Sequence, residues 1–509
     1  MKKKINHILP ALVLTASLGL TTVSCNGFLD EMPDNRTELN TDQKIAKLLV
    51  SAYADVSPNE LFELYSDNSD DSGPTYGYYK LSEQECYHWQ DTKEEYQDTP
   101  NSLWGGYYSA IAAANMALNA IEEKGNPASL DPQRGEALVC RAYCHFMLAN
   151  IFCNAYDTHA SQSLGVPYME EVETTVSPRY ERGTLEEVYR KVERDLLEGI
   201  DLISDDSYSV PKYHFTRKAA YAFAARFYLY YMKPDFSNCD RVIDFATRVL
   251  GTNPADLLRN WEALGNLSVN GNVQADAYIA SSNEANLLIS STVSNWGAIG
   301  SDYLIGPRYF HNQTLATSET CLSSGLWGSS DYFYLKPFST NGFVASILRK
   351  SGLYEGTYLY YMPVLFSTDE TLLCRAEAYA LKKMYAQSAA DITSWQRAYT
   401  RNKSVLTPEQ INTYYDRMSF YTPFTQQTPK KKLAPDFMIE EGMQENFIHC
   451  ILHIRRITTL HEGMRWPDIK RYGILIYRRD MANQRVTDEM PPNDLRYAIQ
   501  IPRLSLIHI

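Results

Sequence analysis

Beyond its first two dozen residues the 509-residue chain has no uninterrupted run of eighteen apolar residues, so the mature sequence is not expected to cross a bilayer as a helix. It is also short of positive charge. Its 48 Lys and Arg face 61 Asp and Glu, a formal net charge of −13, which repels phosphate backbones and anionic headgroups and argues against a nucleic-acid partner. Catalytic signatures are missing: there is no His-Glu-x-x-His, Gly-x-Ser-x-Gly, P-loop or dinucleotide glycine pattern. His449 and His453 are spaced i, i+4 with His461 beyond, but no acid or cysteine stands at a metal-ligand spacing, so they read as ordinary helix histidines. Acid pairs such as Glu170-Glu171 and Asp205-Asp206 read as solvated surface rather than as a glycosidase pair. No cofactor and no metal are expected.

What is present is a globular composition, 44% hydrophobic and 21% charged, with an unusual 38 tyrosines. Tyrosine supplies rigid, amphipathic contact area suited to wet recognition surfaces. The N-terminus has the order of an export signal: Lys2, Lys3 and Lys4, an apolar stretch from Ile8 to Leu20, then Thr22-Val23-Ser24-Cys25. A cysteine at that place is where bacterial lipoproteins are cleaved and acylated, although Thr22 stands where Leu is usual. Residues 1–24 are therefore expected to be a lipoprotein signal peptide, Cys25 the lipidation site and 25–40 a tether, each buried acyl CH₂ contributing about 0.8 kcal/mol to anchoring. Of the eight other cysteines, Cys140 and Cys144 lie one turn apart in an apolar helical run with Cys153 nearby, which favours buried free thiols over disulfides.

Periodicity makes residues 41–250 helical. Leu103–Glu123 repeats an apolar position every three or four residues, Gly135–Asn154 is apolar nearly all round, and Thr184 with Glu187 forms a capping box for a helix to about Ile203. Helices follow at Thr216–Met232 and Asp240–Leu250. The pairs suggest tetratricopeptide-like stacking without a strict 34-residue period. Residues 251–345 lose the period and read as a loop-rich aromatic insertion, with short strands expected at Asn286–Ser290 and Tyr332–Lys336. Helix returns over 346–509, with a second capping box at Ser367 and Glu370, a start at Thr407-Pro408 and a last amphipathic helix at Gly442–His461. The fold class is mainly α, a tetratricopeptide-like scaffold with a looped, partly β insertion.

Six segments in order resemble the SusD/RagB family of outer-membrane nutrient-binding lipoproteins. They are Cys25-Asn26-Gly27-Phe28-Leu29-Asp30, Trp104-Gly105-Gly106-Tyr107-Tyr108 with Asn115, Gly135-Glu136-Ala137 with Arg141-Ala142-Tyr143, Arg182 to Tyr189, Leu372 to Ala378, and His461-Glu462-Gly463-Met464-Arg465-Trp466-Pro467-Asp468 with Arg471. Ile454 and Thr458 depart from the acids the family often places there, and after Ile501-Pro502-Arg503 the C-terminal region is expected to be truncated. The resemblance implies a binder and not an enzyme. It implies a surface-exposed lipoprotein of the outer membrane that captures oligosaccharide, or in some branches peptide, for a SusC-type TonB-dependent transporter. A surface hydrolase that degrades glycans, a peptide-binding member and a pure assembly scaffold are the alternatives. The Arg465-Trp466 and Asp468 cluster is expected to be structural.

Sugars present apolar C–H faces that stack on aromatic rings and hydroxyls that need amide, carboxylate and guanidinium partners. Exposed loop aromatics are thus the expected ligand contacts. The candidates are Tyr78, Tyr79, Trp89 and Asp91 in the segment Ser66–Trp104, and Trp296 and Trp327 in the insertion, with Tyr76, Tyr87, Trp261, Tyr332 and Tyr334 close by.

Overall fold

The computed structural model describes residues 39–75, 80–175, 178–268, 273–296, 308–335, 338–339, 342–343, 352–355, 358–481, 483–503 and 505. Cys25 and the expected signal and tether, up to residue 38, lie outside them, as do Tyr76, Tyr78 and Tyr79. Sixteen helices are described: α1 (Asp42–Leu48), α2 (Asn59–Tyr65), α3 (Leu81–Tyr87), α4 (Pro100–Glu123), α5 (Asp131–Phe152), α6 (Leu185–Leu202), α7 (Arg217–Tyr230), α8 (Ser237–Leu250), α9 (Trp261–Gly265), α10 (Val273–Ile279), α11 (Gln313–Glu319), α12 (Thr368–Leu381), α13 (Tyr385–Tyr399), α14 (Pro408–Arg417), α15 (Met443–Thr458) and α16 (Arg465–Tyr472). None is long and apolar enough to cross a membrane.

The scaffold is built from antiparallel helix contacts, α4 on α5, α5 on α6 and α7 on α8, with α12 against α7, α8, α13 and α15. Each helix forms for a local reason. Thr184 Oγ1 accepts from Glu187 N while the Glu187 carboxylate accepts from Thr184 N, the expected capping box at the start of α6. Pro100 and Pro408 occupy first-turn positions of α4 and α14, where a missing N–H is harmless. Helices α5 and α6 meet where neither has a side chain. A Cβ on Gly135 would lie 2.8 Å from Gly199 O, and one on Gly199 2.7 Å from Gly135 O. Beside this contact Arg141 of α5 ties three helices together: its guanidinium donates to Asp195 of α6 at 2.6 Å and to Asn115 of α4 at 3.0 Å.

At α12 one expectation is half met. Ser367 Oγ accepts from Glu370 N at 3.2 Å, but the Glu370 carboxylate does not return to the Ser367 amide. It pairs instead with buried Arg226 of α7 at 3.0 Å, because a charged partner outweighs a neutral N–H inside the core.

Strands are short and antiparallel. Two-residue β1 (Asp70–Asp71) pairs with β4 (Tyr309–Phe310), and β2 (Asn286–Ile289) with β9 (Val364–Ser367). The other strands are β3 (Thr292–Val293), β5 (Phe338–Ser339), β6 (Gly342–Phe343), β7 (Gly352–Glu355), β8 (Tyr358–Tyr361), β10 (Ile476–Asp480) and β11 (Arg485–Met490). Among them β3, β8 and β7 form one sheet, β5 pairs with β6, and β10 with β11. The strand expected at Asn286–Ser290 is β2. The one expected at Tyr332–Lys336 is not formed at its start: Ser330–Tyr332 is a 3₁₀ turn opened by Ser329, and Phe333 makes a single bridge to Thr400. All eight cysteines outside the N-terminus are buried free thiols, as their spacing suggested.

Candidate functional site

The three tryptophans expected to stack on ligand are packed inside the protein, against the expectation that they are exposed. Trp89 is 5% exposed, and its Nε1 donates to Tyr65 O at 2.9 Å. The Arg478 guanidinium lies 4.0 Å from its ring and Arg496 caps the other flank at 5.0 Å. Among the described residues Arg478 itself has no carboxylate partner. It spends its N–H groups on the carbonyls of Leu64, Tyr65, Ser66 and Tyr87, which close the end of α2 and of α3. Burial pulls its pKa down to about 10. Trp296 donates from Nε1 to His461 O at 2.9 Å. Trp327 is fully buried among Trp395, Phe333 and His453, with ring centroids 5.2 to 5.6 Å away. Trp261 and Tyr87 are buried too, and Tyr334 nearly so, while Tyr332 is exposed. In a segment with few backbone ladders, large rings supply the apolar area that fixes the loops.

The sixth candidate, Asp91, is exposed and lines a cleft of about 250 Å³. Thr92, Lys93, Glu94, Glu95 and Asn101 form one wall, Gln500 and Arg503 the other, and Tyr65 lies at its base. The Gln500 amide abuts the Asp91 carboxylate and donates to it in the orientation that satisfies both groups. The first wall is held from behind. Glu85 accepts from Lys93 N at 3.0 Å, Glu94 accepts from Ser82 N at 3.0 Å, and Thr99 Oγ1 donates to Tyr96 O at 2.6 Å. Asp98, in the left-handed region at φ +68°, accepts from Asn295 N at 2.8 Å and so ties the wall to the insertion. Behind Asp98 stands Glu60 of α2. Burial first, then the neighbouring Asp98 charge, raises the Glu60 carboxyl well above the usual range, and burial raises Asp98 against the hydrogen bonds from Ser294 and Asn295. The cleft thus offers donors and acceptors of both signs on a fixed backbone, which suits a neutral, hydroxyl-rich ligand.

The C-terminal motif is structural, as expected. Arg465 grips Asp67 through two bonds of 2.7 and 2.9 Å, and Lys431 joins at 2.8 Å. Arg456 bridges Asp67 to buried Glu319. Burial alone would raise Asp67, but Arg456, Arg465 and Lys431 outweigh it and hold its carboxyl well below the usual range. Asp468 pairs with Arg455 and Arg471, both of which also reach Glu377 of α12. Trp466 is fully buried. His453 lies between Ser323 and Tyr415, and burial holds its pKa down to about 3. Among the described residues no cluster of three His, Cys, Asp or Glu side chains could hold a metal. The pocket beside Arg226 and Glu370 is about 50 Å³, room for water only.

Sequence reasoning missed that the rings face inward, since a local sequence shows aromatic density but not which side is covered. Asp91 was reachable from sequence as an acid beside loop aromatics, and the structure leaves it exposed in a cleft. Sequence reasoning missed Gln500 and Arg503, which reach the cleft from four hundred residues away.

Residues 27–229 match a SusD-like family model described as "Starch-binding associating with outer membrane". No curated protein matches the chain. Solved structures of similar fold include a SusD superfamily protein from Bacteroides fragilis, at 15% identity and TM-score 0.64, covering 92% of this chain and 98% of that one. A SusD-like carbohydrate binding protein from Bacteroides vulgatus ATCC 8482 superposes with TM-score 0.63 at 13% identity, over 92% of this chain and 96% of that one. A SusD superfamily protein from Bacteroides thetaiotaomicron VPI-5482 gives 0.57 at 18% identity, over 92% and 98%. At these identities the structures speak for the fold, a SusD-like one, and the family model places the similarity to the SusD-like family on residues 27–229.

Proposed function

We propose that the protein is a non-catalytic glycan-binding lipoprotein of the outer membrane. Acylation at Cys25 tethers it, an oligosaccharide is held at the Asp91 cleft, and the glycan passes to a SusC-type TonB-dependent transporter. The observation that carries this reading is the match of residues 27–229 to a starch-binding, outer-membrane-associated family. The cleft supports it: Asp91, Asn101, Gln500 and Arg503 can bond the hydroxyls of a neutral sugar, and Lys93 and Glu94 add charge-assisted bonds. At about 250 Å³ the cleft fits the end of a glycan rather than a long stretch of one. Two properties follow. Native gels cast with soluble starch, xylan, pectin or mannan should retard the wild-type protein on at least one of them, and no new reducing ends should appear on incubation. Retardation on none, or steady product formation, contradicts the reading. Cys25→Ser should move the protein from the membrane to the soluble fraction, and a variant that stays in washed membranes contradicts lipidation as the tether.

A further inference from the structure

A second surface on this chain is built like a sugar platform. Helix α14 presents Glu409, Gln410, Thr413 and Arg417 at i, i+1, i+4 and i+8, so the four lie on one face. All four are exposed. Tyr414 and Met418 flank them, and Leu326 stands opposite, the seven lining an open groove of about 620 Å³. That volume falls within the range of functional ligand pockets.

Both walls are rigid. Helix α14 starts at a complete capping box, with Thr407 Oγ1 accepting from Gln410 N and Gln410 Oε1 from Thr407 N. The opposite wall is the tight loop Gly325–Gly328, closed by reciprocal backbone bonds of 2.9 and 3.0 Å. Gly325 lies flat on the Trp327 ring: a Cβ there would come within 2.3 Å of it. Trp327 therefore acts as an anchor beneath the loop, and Leu326 is carried to the surface. Tyr414 OH donates to Ser324 O at 3.2 Å, one bond between two walls that are each held from within.

The polar groups of the groove are not spent on each other. Among the described residues neither Glu409 nor Arg417 has an ion-pair partner, and the Gln410 amide nitrogen is left over by the cap, which uses only its oxygen. A half-buried tyrosine ring with two aliphatic side chains, bordered by an acid, an amide, a hydroxyl and a guanidinium, matches the two-faced chemistry of a sugar ring. A purely apolar protein partner would leave Glu409 and Arg417 desolvated and unpaired, which is costly.

We infer that the groove between α14 and the Ser324–Leu326 loop is a second glycan-contact surface, distinct in every lining residue from the Asp91 cleft. The inference rests on the glycan-binding reading above.

The test is native gel retardation on soluble starch, xylan, pectin and mannan, with melting temperature measured beside it. On the polysaccharide that retards the wild type, Tyr414→Ala and Arg417→Ala should each weaken binding by about two- to tenfold at unchanged melting temperature. Tyr414→Phe keeps the ring and loses the bond to Ser324, so it should bind like the wild type. Wild-type retardation that survives unaltered in Tyr414→Ala and Arg417→Ala overturns the groove while leaving the function intact. Loss in Tyr414→Ala matched by equal loss in Tyr414→Phe makes the tyrosine a wall strut and also overturns it. No retardation of the wild type on any of the four removes the glycan reading and the groove together.

Discussion

The helical scaffold and the loop-rich insertion solve the same problem with opposite means. In α4 to α8 the backbone satisfies itself, and small residues let helices approach, as at Gly135 and Gly199. Between residues 251 and 335 backbone ladders are few, and order comes from side chains sent into the scaffold. Trp261 bonds Asp369 of α12, Trp296 bonds His461 O, and Trp327 packs on Trp395 of α13. The early loop does the same with charge, through Asp67 on Arg465, Arg456 and Lys431. Aromatic and ionic residues in loops are thus the mortar of this fold, and under the proposed function its open polar surfaces are left for ligand.

That contrast breaks first at the charges. Among the described residues Asp67→Ala leaves buried Arg456 and Lys431 with Glu319 as their remaining ion-pair partner and Arg465 with none, and should cost about 3–5 kcal/mol. Chemical denaturation of the variant checks this, and a loss below about 1 kcal/mol would show that water reaches the cluster. At the rings, Trp327→Ala removes a fully buried side chain and should also cost about 3–5 kcal/mol. Any fall in glycan affinity should then follow the fall in melting temperature, since the ring faces the core.

The two buried carboxylate clusters should respond to pH with opposite signs. Asp67 is depressed by its cations, so its contribution is present above the ordinary carboxylate range and is lost as pH falls through its folded pKa. Glu60 is raised by burial and by Asp98, so the folded state holds its proton more tightly than the unfolded chain. Its contribution is complete below the unfolded value and lost as pH rises through the folded one. Melting curves across pH should show Glu60→Gln flattening the decline toward alkaline pH, by a smaller effect than the two substitutions above. An unaltered slope would mean that the pair does not titrate in the folded protein.

Much of the scaffold was legible because a helix declares itself locally. The Thr184 and Glu187 box, the Thr407-Pro408 start and the apolar face of α4 each need only neighbours in sequence. Ser367 and Glu370 show the limit: the same local signal was overridden by Arg226, 144 residues away. The Arg465, Trp466 and Asp468 cluster was read as structural, and its pairs with Asp67, Arg455 and Arg471 are so placed. The loop tryptophans were misread as surface because exposure depends on which distant helix lies beneath. The face of α14 carried a readable spacing of polar residues, but its opposite wall comes from eighty residues earlier. Among the candidates within the described residues, Asp91 is the one that the structure leaves open to solvent in a cleft.

The measurement that bears most directly on this account pairs affinity with melting temperature for Asp91→Ala and Trp296→Ala, on the polysaccharide that retards the wild type. Open polar surface binding predicts that Asp91→Ala weakens binding by roughly tenfold, one charge-assisted hydrogen bond, with its melting temperature unchanged. Trp296→Ala should lose affinity only in step with stability. Wild-type affinity in Asp91→Ala, together with lost affinity at full stability in Trp296→Ala, would put the ligand on the rings and contradict it.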